Sequence, residues 1–164
     1  MLLRLLFLFP VFLLLFSCTV VEKKHPETPS IQETNELAAW NLSSNEQRIT
    51  SSNRAVAQLL QQADDLMAKS NFEMSSDKLE RLVRIEPQFA QAWSRLAWMA
   101  LEKGDAHRSR QLAQRSNSYS RDNKKLKLLN WQFILKAGEL LNNIDIIQQA
   151  EQVIKTLYDE LGDE

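Results

Sequence analysis

Trp93-Ser94-Arg95-Leu96-Ala97-Trp98-Met99-Ala100-Leu101-Glu102-Lys103-Gly104-Asp105 is the stretch that decides the fold. Moved back by 34 positions, it lies on Leu59 to Asn71. Trp93 then falls on Leu59, Ala97 on Ala63, Lys103 on Lys69, and Gly104-Asp105 on Ser70-Asn71. Beyond the turn, Ala113 falls on Leu79. Self-similarity at such a period is the mark of a stacked array of supersecondary units. Within each copy the apolar spacing is helical. Val56, Leu59, Leu60, Ala63, Leu66 and Met67 follow the i, i+3, i+4 rule, as do Ala92, Trp93, Leu96, Ala97 and Ala100. Leu79, Leu82 and Val83 put a stripe on a second helix; Ser109, Leu112, Ala113 and Ser116 put one of small residues on a fourth.

A third unit follows. Trp131, Ile134 and Leu135 repeat Trp93, Leu96 and Ala97 at an offset of 38, and Asn142-Asn143 stand where Gly104-Asp105 stood. The extra residues predict a longer loop near Arg121-Asp122-Asn123-Lys124-Lys125. A last helix carries Ile147, Ala150, Ile154 and Leu157 and ends near Leu161-Gly162. Ser51 or Ser52 can cap the first helix, and Pro87 stops the second. Ser70-Asn71 and Gly104-Asp105 suit turns that need left-handed or locally hydrogen-bonded backbone.

These residues resemble the tetratricopeptide repeat, a helix–turn–helix unit of about 34 residues. The resemblance covers residues 55–120, and 125–161 more weakly; Gln62 departs from the usual Leu, Leu82 from the usual Ala, and Arg121 from the usual Pro. It implies an all-α fold of stacked helical hairpins, two to three repeats in six helices, with a plain helical bundle as the alternative. It also implies a concave groove, lined by the first helix of each unit, that grips extended peptides or helices of other proteins. Exposed positions between core residues are the groove candidates: Gln58, Gln61, Gln62, Asp65, Ser94, Arg95, Trp98 and Met99. Trp98 lies off the core stripe, which fits either a contact hot spot or packing on the next repeat. Three repeats are about the minimum for such an array, which leaves homo-oligomers open.

Ahead of the repeats, an apolar run from Leu5 ends in Leu15-Phe16-Ser17-Cys18, with Arg4 before it and the chain's one cysteine closing it. A membrane span needs about 20 apolar residues; this run is shorter and holds Pro10. The arrangement resembles the lipobox of bacterial lipoprotein signal peptides, with Phe16 bulkier than usual. The resemblance implies a signal peptide over 1–17, cleavage before Cys18 and lipid attachment at Cys18. Thr19-Val20 then point, by analogy, to the outer membrane with the protein facing the periplasm. Residues 18–53, with Pro26, Pro29 and many Ser, Thr, Glu and Gln, read as a flexible tether. Leu37, Trp40 and Leu42 within it form an apolar edge that is either a docking motif or a turn. The helical domain is expected over 54–164.

No catalytic constellation stands out. His25 and His107 lack a second ligand at metal spacing, Asp64 and Asp65 point apart on a helix, and no phosphate loop or nucleophile motif occurs. No enzyme activity, cofactor or metal is expected. A formal net charge of −1 argues against nucleic acid. Lys103, Arg108, Arg110, Arg115, Arg121, Lys124, Lys125 and Lys127 crowd one region and Glu151, Asp159, Glu160, Asp163 and Glu164 another. They are a basic surface for an anionic partner, ordinary solvated faces, or complementary patches between protomers. The expected role is an adaptor for cell-envelope proteins of peptidoglycan synthesis, division or envelope assembly. The alternatives are a regulator of an envelope enzyme and a structural subunit of a secretion or pilus complex. Palmitate labelling in a bacterial host checks the anchor: the wild type takes up label and Cys18→Ser does not.

Overall fold

The computed structural model describes residues 54–162. They form α1 (Arg54–Ala68), α2 (Phe72–Ile85), α3 (Ala90–Glu102), α4 (Ala106–Tyr119), α5 (Lys124–Leu140) and α6 (Ile144–Gly162). No strand occurs among the described residues, and the fold is all-α, as the stacked-hairpin pattern predicts. The signal peptide, Cys18, the tether with its Leu37–Leu42 motif, the cap at Ser51 or Ser52 and the last two acidic residues lie outside the described residues.

Three hairpin turns of one design organise the chain. Ser70, Gly104 and Asn142 all have positive φ, at 56°, 76° and 50°. The next residue in each turn, Asn71, Asp105 or Asn143, accepts the backbone N–H three residues on with its side chain. Its own N–H returns to the preceding helix, at Leu66 O, Ala100 O and Gly138 O, over 2.9 Å in each case. The left-handed residue ends one helix and the capping residue starts the next. The hairpins α1–α2, α3–α4 and α5–α6 follow from that.

Small residues let the paired helices approach. Ala63 and Ala97 are fully buried, and Ser75 Oγ donates to Ala63 O across the first hairpin at 2.9 Å. In the third hairpin Gly138 plays this part, for a Cβ there would lie 2.9 Å from Ile146 Cγ2.

The four extra residues of the third unit are not in a loop. The connections before α3 and before α5 are each four residues, 86–89 and 120–123, whereas α5 has 17 residues and α3 has 13. Asn123 explains the difference. Its side chain accepts the Leu126 N–H at 2.9 Å and starts the helix at Lys124. Four residues add about one turn, so the apolar face of α5 keeps its register.

The core falls into two clusters. One joins α1 and α2 to α3 through Leu59, Leu79, Leu82, Trp93 and Leu96; the other joins α3 and α4 to α5 and α6 through Ala97, Ala113, Phe133, Ile134 and Ile154. Trp98, Leu112 and Tyr119 pack on both. A polar relay also ties the second and third hairpins together. Ser116 Oγ donates to Ala90 O at 2.9 Å, and Asn130 Nδ2 donates to Ser116 Oγ at 2.8 Å.

Leu79 is fully buried, so Leu79→Ala is expected to lower stability by about 2–5 kcal/mol. Gly138→Ala would favour a free helix, but the contact with Ile146 makes it destabilising here by about 1–2 kcal/mol. Chemical denaturation of each variant reads both values.

Candidate functional site

The first helices of the hairpins, α1, α3 and α5, form one layer, in which α3 packs on α5 and reaches α1 through Arg95. The groove expected here does not hold together as one surface. Gln58, Gln62 and Asp65 are exposed, but they sit on the outer end of the stack. Their equivalents 34 residues on, Ala92, Leu96 and Met99, are buried against the preceding hairpin. Gln62, which stands where the repeat usually has Leu, is one of these exposed positions. Met99 is 2% exposed and belongs to the core rather than to a contact surface; Ser94 is buried too.

Arg95 is buried and already engaged. Its Nε meets Asp64 Oδ1 at 2.7 Å, its Nη2 meets Asp64 Oδ2 at 3.1 Å, and its Nη1 donates to Gln91 O. Burial pushes the Asp64 carboxyl above its usual range despite the charge of Arg95 beside it. Trp98 is half-buried and meets Phe72 edge-on, with ring centroids 5.4 Å apart. It therefore packs on the preceding hairpin and wedges the first two units together. Farther along the layer, Lys136 and Glu139 pair at 2.7 Å, and Gln132 is buried with its Nε2 on Tyr158 OH.

No family model and no curated protein matches the chain. Among solved structures it is similar to the globular C-terminal domain of P. aeruginosa LpoP. The two share 26% identity and superpose with a TM-score of 0.56, over 65% of this chain and 97% of that one.

Like the layer just described, the second helices α2, α4 and α6 carry ordered charge. On α2, Glu73, Asp77 and Glu80 recur at i, i+4 and i+7 and face α4. α4 holds no acidic residue. Its Arg108 crosses to Glu80 Oε1 at 3.1 Å, and its Arg115 lies 4.2 Å over the Trp93 ring. Toward the hairpin turns the two helices leave a cleft of about 230 Å³, floored by Leu96 and Met99 of α3. The sequence reading missed this cleft. Its one visible signal was the acidic i, i+4, i+7 series on α2.

The basic region is in part consumed internally. Arg108 and Arg115 are engaged as described, and Lys124 meets Glu160 of the acidic tail at 3.7 Å within the same chain. One contact between the basic region and the acidic tail therefore lies inside the protomer. His107 is exposed. Among the described residues no group of three or more His, Cys, Asp or Glu could hold a metal.

Removing one partner of a buried ion pair leaves the other charge stranded, so Asp64→Ala is expected to cost about 3 kcal/mol. Asp64→Asn keeps an acceptor for Arg95 but also removes its counter-charge, so it is expected to be destabilising by less than Asp64→Ala. A raised folded-state pKa means that the folded protein binds the proton more readily than the unfolded chain. Stability from Asp64 is therefore gained as pH falls through the raised value toward 3.8 and lost as pH rises. Urea unfolding between pH 4 and 7 should show that gain in the wild type relative to Asp64→Asn.

Proposed function

We propose that this chain is an outer-membrane lipoprotein, anchored through Cys18, whose helical stack regulates a peptidoglycan synthase from the periplasmic side. The observation that carries this reading is the likeness to the LpoP C-terminal domain, which the stack matches over nearly the whole of that domain. That likeness suggests an outer-membrane lipoprotein activator of a peptidoglycan synthase. The lipobox-like Leu15-Phe16-Ser17-Cys18 supports it independently. Residues 1–17 would be removed, 18–53 would span from the membrane, and the stack would meet its partner at that distance. A tether of ~35 residues reaches about 30–35 Å as a coil.

Regulation is preferred over a passive adaptor or a secretion or pilus subunit because the LpoP likeness points to it. No reacting group is required of the chain itself. The protein acts by binding one state of the synthase better than another, which is the only way a bound partner shifts an equilibrium. Both ends of the stack expose polar side chains: Gln58 and Gln62 at one end, Gln148, Gln152 and Lys155 at the other.

Glycan synthesis by a purified synthase of the same organism is the test. Full-length protein in detergent should raise the rate of polymerisation or crosslinking. In cells the Cys18→Ser variant should lose that effect while the detergent assay retains it. Binding without any change in turnover would instead favour the adaptor.

A further inference from the structure

Met74, Lys78, Arg81 and Ile85 recur on α2 at i, i+4, i+7 and i+11 and so form one stripe of the helix. Glu80, which pairs with Arg108, marks the flank of α2 turned toward the second hairpin. The stripe runs along the other flank. Its two ends are large apolar residues left exposed, Met74 at 50% and Ile85 at 43%. On α1, Asp64 reaches the second hairpin through Arg95; Gln62 and the half-buried Leu66 lie on the flank away from it.

Comparison across units shows what this flank does elsewhere. Moved on by 34 positions, Gln62, Lys78 and Ile85 become Leu96, Leu112 and Tyr119, which pack in the cluster shared with the first hairpin. The flank is a packing face in the second hairpin. In the first hairpin it is uncovered among the described residues.

The chain itself supplies a matching segment. The helices of the first hairpin are antiparallel, so Arg54 and Ile85 lie at the same end of it. The chain therefore enters α1 beside one apolar end of the stripe. Residues 43–53 extend to at most about 36–40 Å, against about 21 Å for the 14 residues of α2. A segment just ahead of residue 43 can thus reach any point of the stripe. That segment holds Glu33, Glu36, Leu37 and Trp40, which share one face at helical spacing. Between Lys24 and Arg48 the chain has Glu27, Glu33, Glu36 and Glu46 and no lysine or arginine. The stripe is the converse. Lys78 and Arg81 stand between its apolar ends with no ion-pair or hydrogen-bond partner among the described residues.

We propose that residues 33–40 dock on the outer flank of the first hairpin, with Leu37 and Trp40 against Met74 and Ile85, and Glu33 and Glu36 beside Lys78 and Arg81. Burial of the indole supplies most of the attraction; exposed ion pairs are weak singly and set the register. A short linker holds the segment at an effective concentration of about millimolar, so a weak contact stays closed. The docking stands apart from the synthase reading. Its consequence rests on the anchor at Cys18. A docked segment leaves residues 19–32 as the free tether, which as a coil reaches about 20 Å instead of about 30–35 Å. Release of the segment then lengthens the reach of the stack.

Full-length protein in lipid nanodiscs, with labelled methionine methyl groups, tests this. The Trp40 indole should displace the Met74 methyl resonance upfield. Trp40→Ala should return it to the position of an exposed methionine, while Met67 and Met99, buried in the core, keep theirs. Lys78→Glu/Arg81→Glu should cause the same return, and adding Glu33→Lys/Glu36→Lys to that variant should restore the upfield position. An unchanged Met74 resonance in Trp40→Ala, or no restoration by the second charge reversal, overturns the proposal. Labelled Trp40→Ala chains mixed with unlabelled wild type should show no upfield Met74 signal; its appearance would assign the flank to a second copy and overturn docking within one chain. The Cys18→Ser chain should keep the shift, so the docking is read even if the anchor and the proposed function fail. The substituted residues lie outside the core, and the melting temperature is expected to match the wild type.

Discussion

The three hairpins depend on a backbone that turns through the left-handed region at each of their tips, and a fourth left-handed residue, Arg121 at φ 45°, lies in the connection between the second and third hairpins. Ser70, Gly104 and Asn142 each take positive φ, and only Gly104 does so without a steric penalty. For Ser70 and Asn142 the conformation costs about 1–2 kcal/mol. The side-chain cap on the next residue contributes about 1 kcal/mol, and the two returning backbone bonds satisfy carbonyls that a helix end would otherwise leave bare. With the turn set, the two helices of a unit are antiparallel, and Ala63, Ala97 and Gly138 let them close. The apolar stripes then have nowhere to go but against each other and against the next hairpin.

Stacking is secured differently at the two junctions. Between the first and second hairpins the bonds are aromatic and ionic. Trp93 Nε1 donates to Pro87 O at 2.7 Å, Trp98 meets Phe72, and Arg95 chelates Asp64. Between the second and third, buried amides and hydroxyls do the work, from Asn130 through Ser116 to Ala90 O. Asn130 also leaves its Oδ1 without a protein partner, as Gln132 leaves its Oε1. An unsatisfied buried acceptor carries a desolvation penalty. The second junction therefore trades stability for a fixed register, in keeping with the one-turn extension of α5 that it must accommodate.

Periodicity in the sequence carried the fold well. The offset of 34 located two hairpins, the offset of 38 located a third, and the turn residues fell where they were expected. The four extra residues were expected in a loop near 121–125, but Asn123 caps a helix that starts at Lys124, despite the unfavourable charge of Lys124, Lys125 and Lys127 in its first turn. The expected groove failed as well. A single helix viewed alone cannot distinguish a face turned toward a ligand from a face turned toward a neighbouring hairpin. Comparison across units does so at once, since Gln58, Gln62 and Asp65 occupy the buried positions of Ala92, Leu96 and Met99. Contacts such as Asp64 with Arg95, 31 residues apart, lie diagonally across two units and leave no periodic trace.

The partition of charge between the layers follows from the same geometry. In a short stack the first helices crowd together along their shared edge, and any ionic group placed there is partly dehydrated and must find a partner. Asp64, with its carboxyl pushed toward the neutral form by burial, shows that demand. On the second helices Glu73 and Asp77 are exposed to water and bear no such demand. Charge in the first layer is thus spent on folding, and the Asp64–Arg95 pair is what ties α1 to α3.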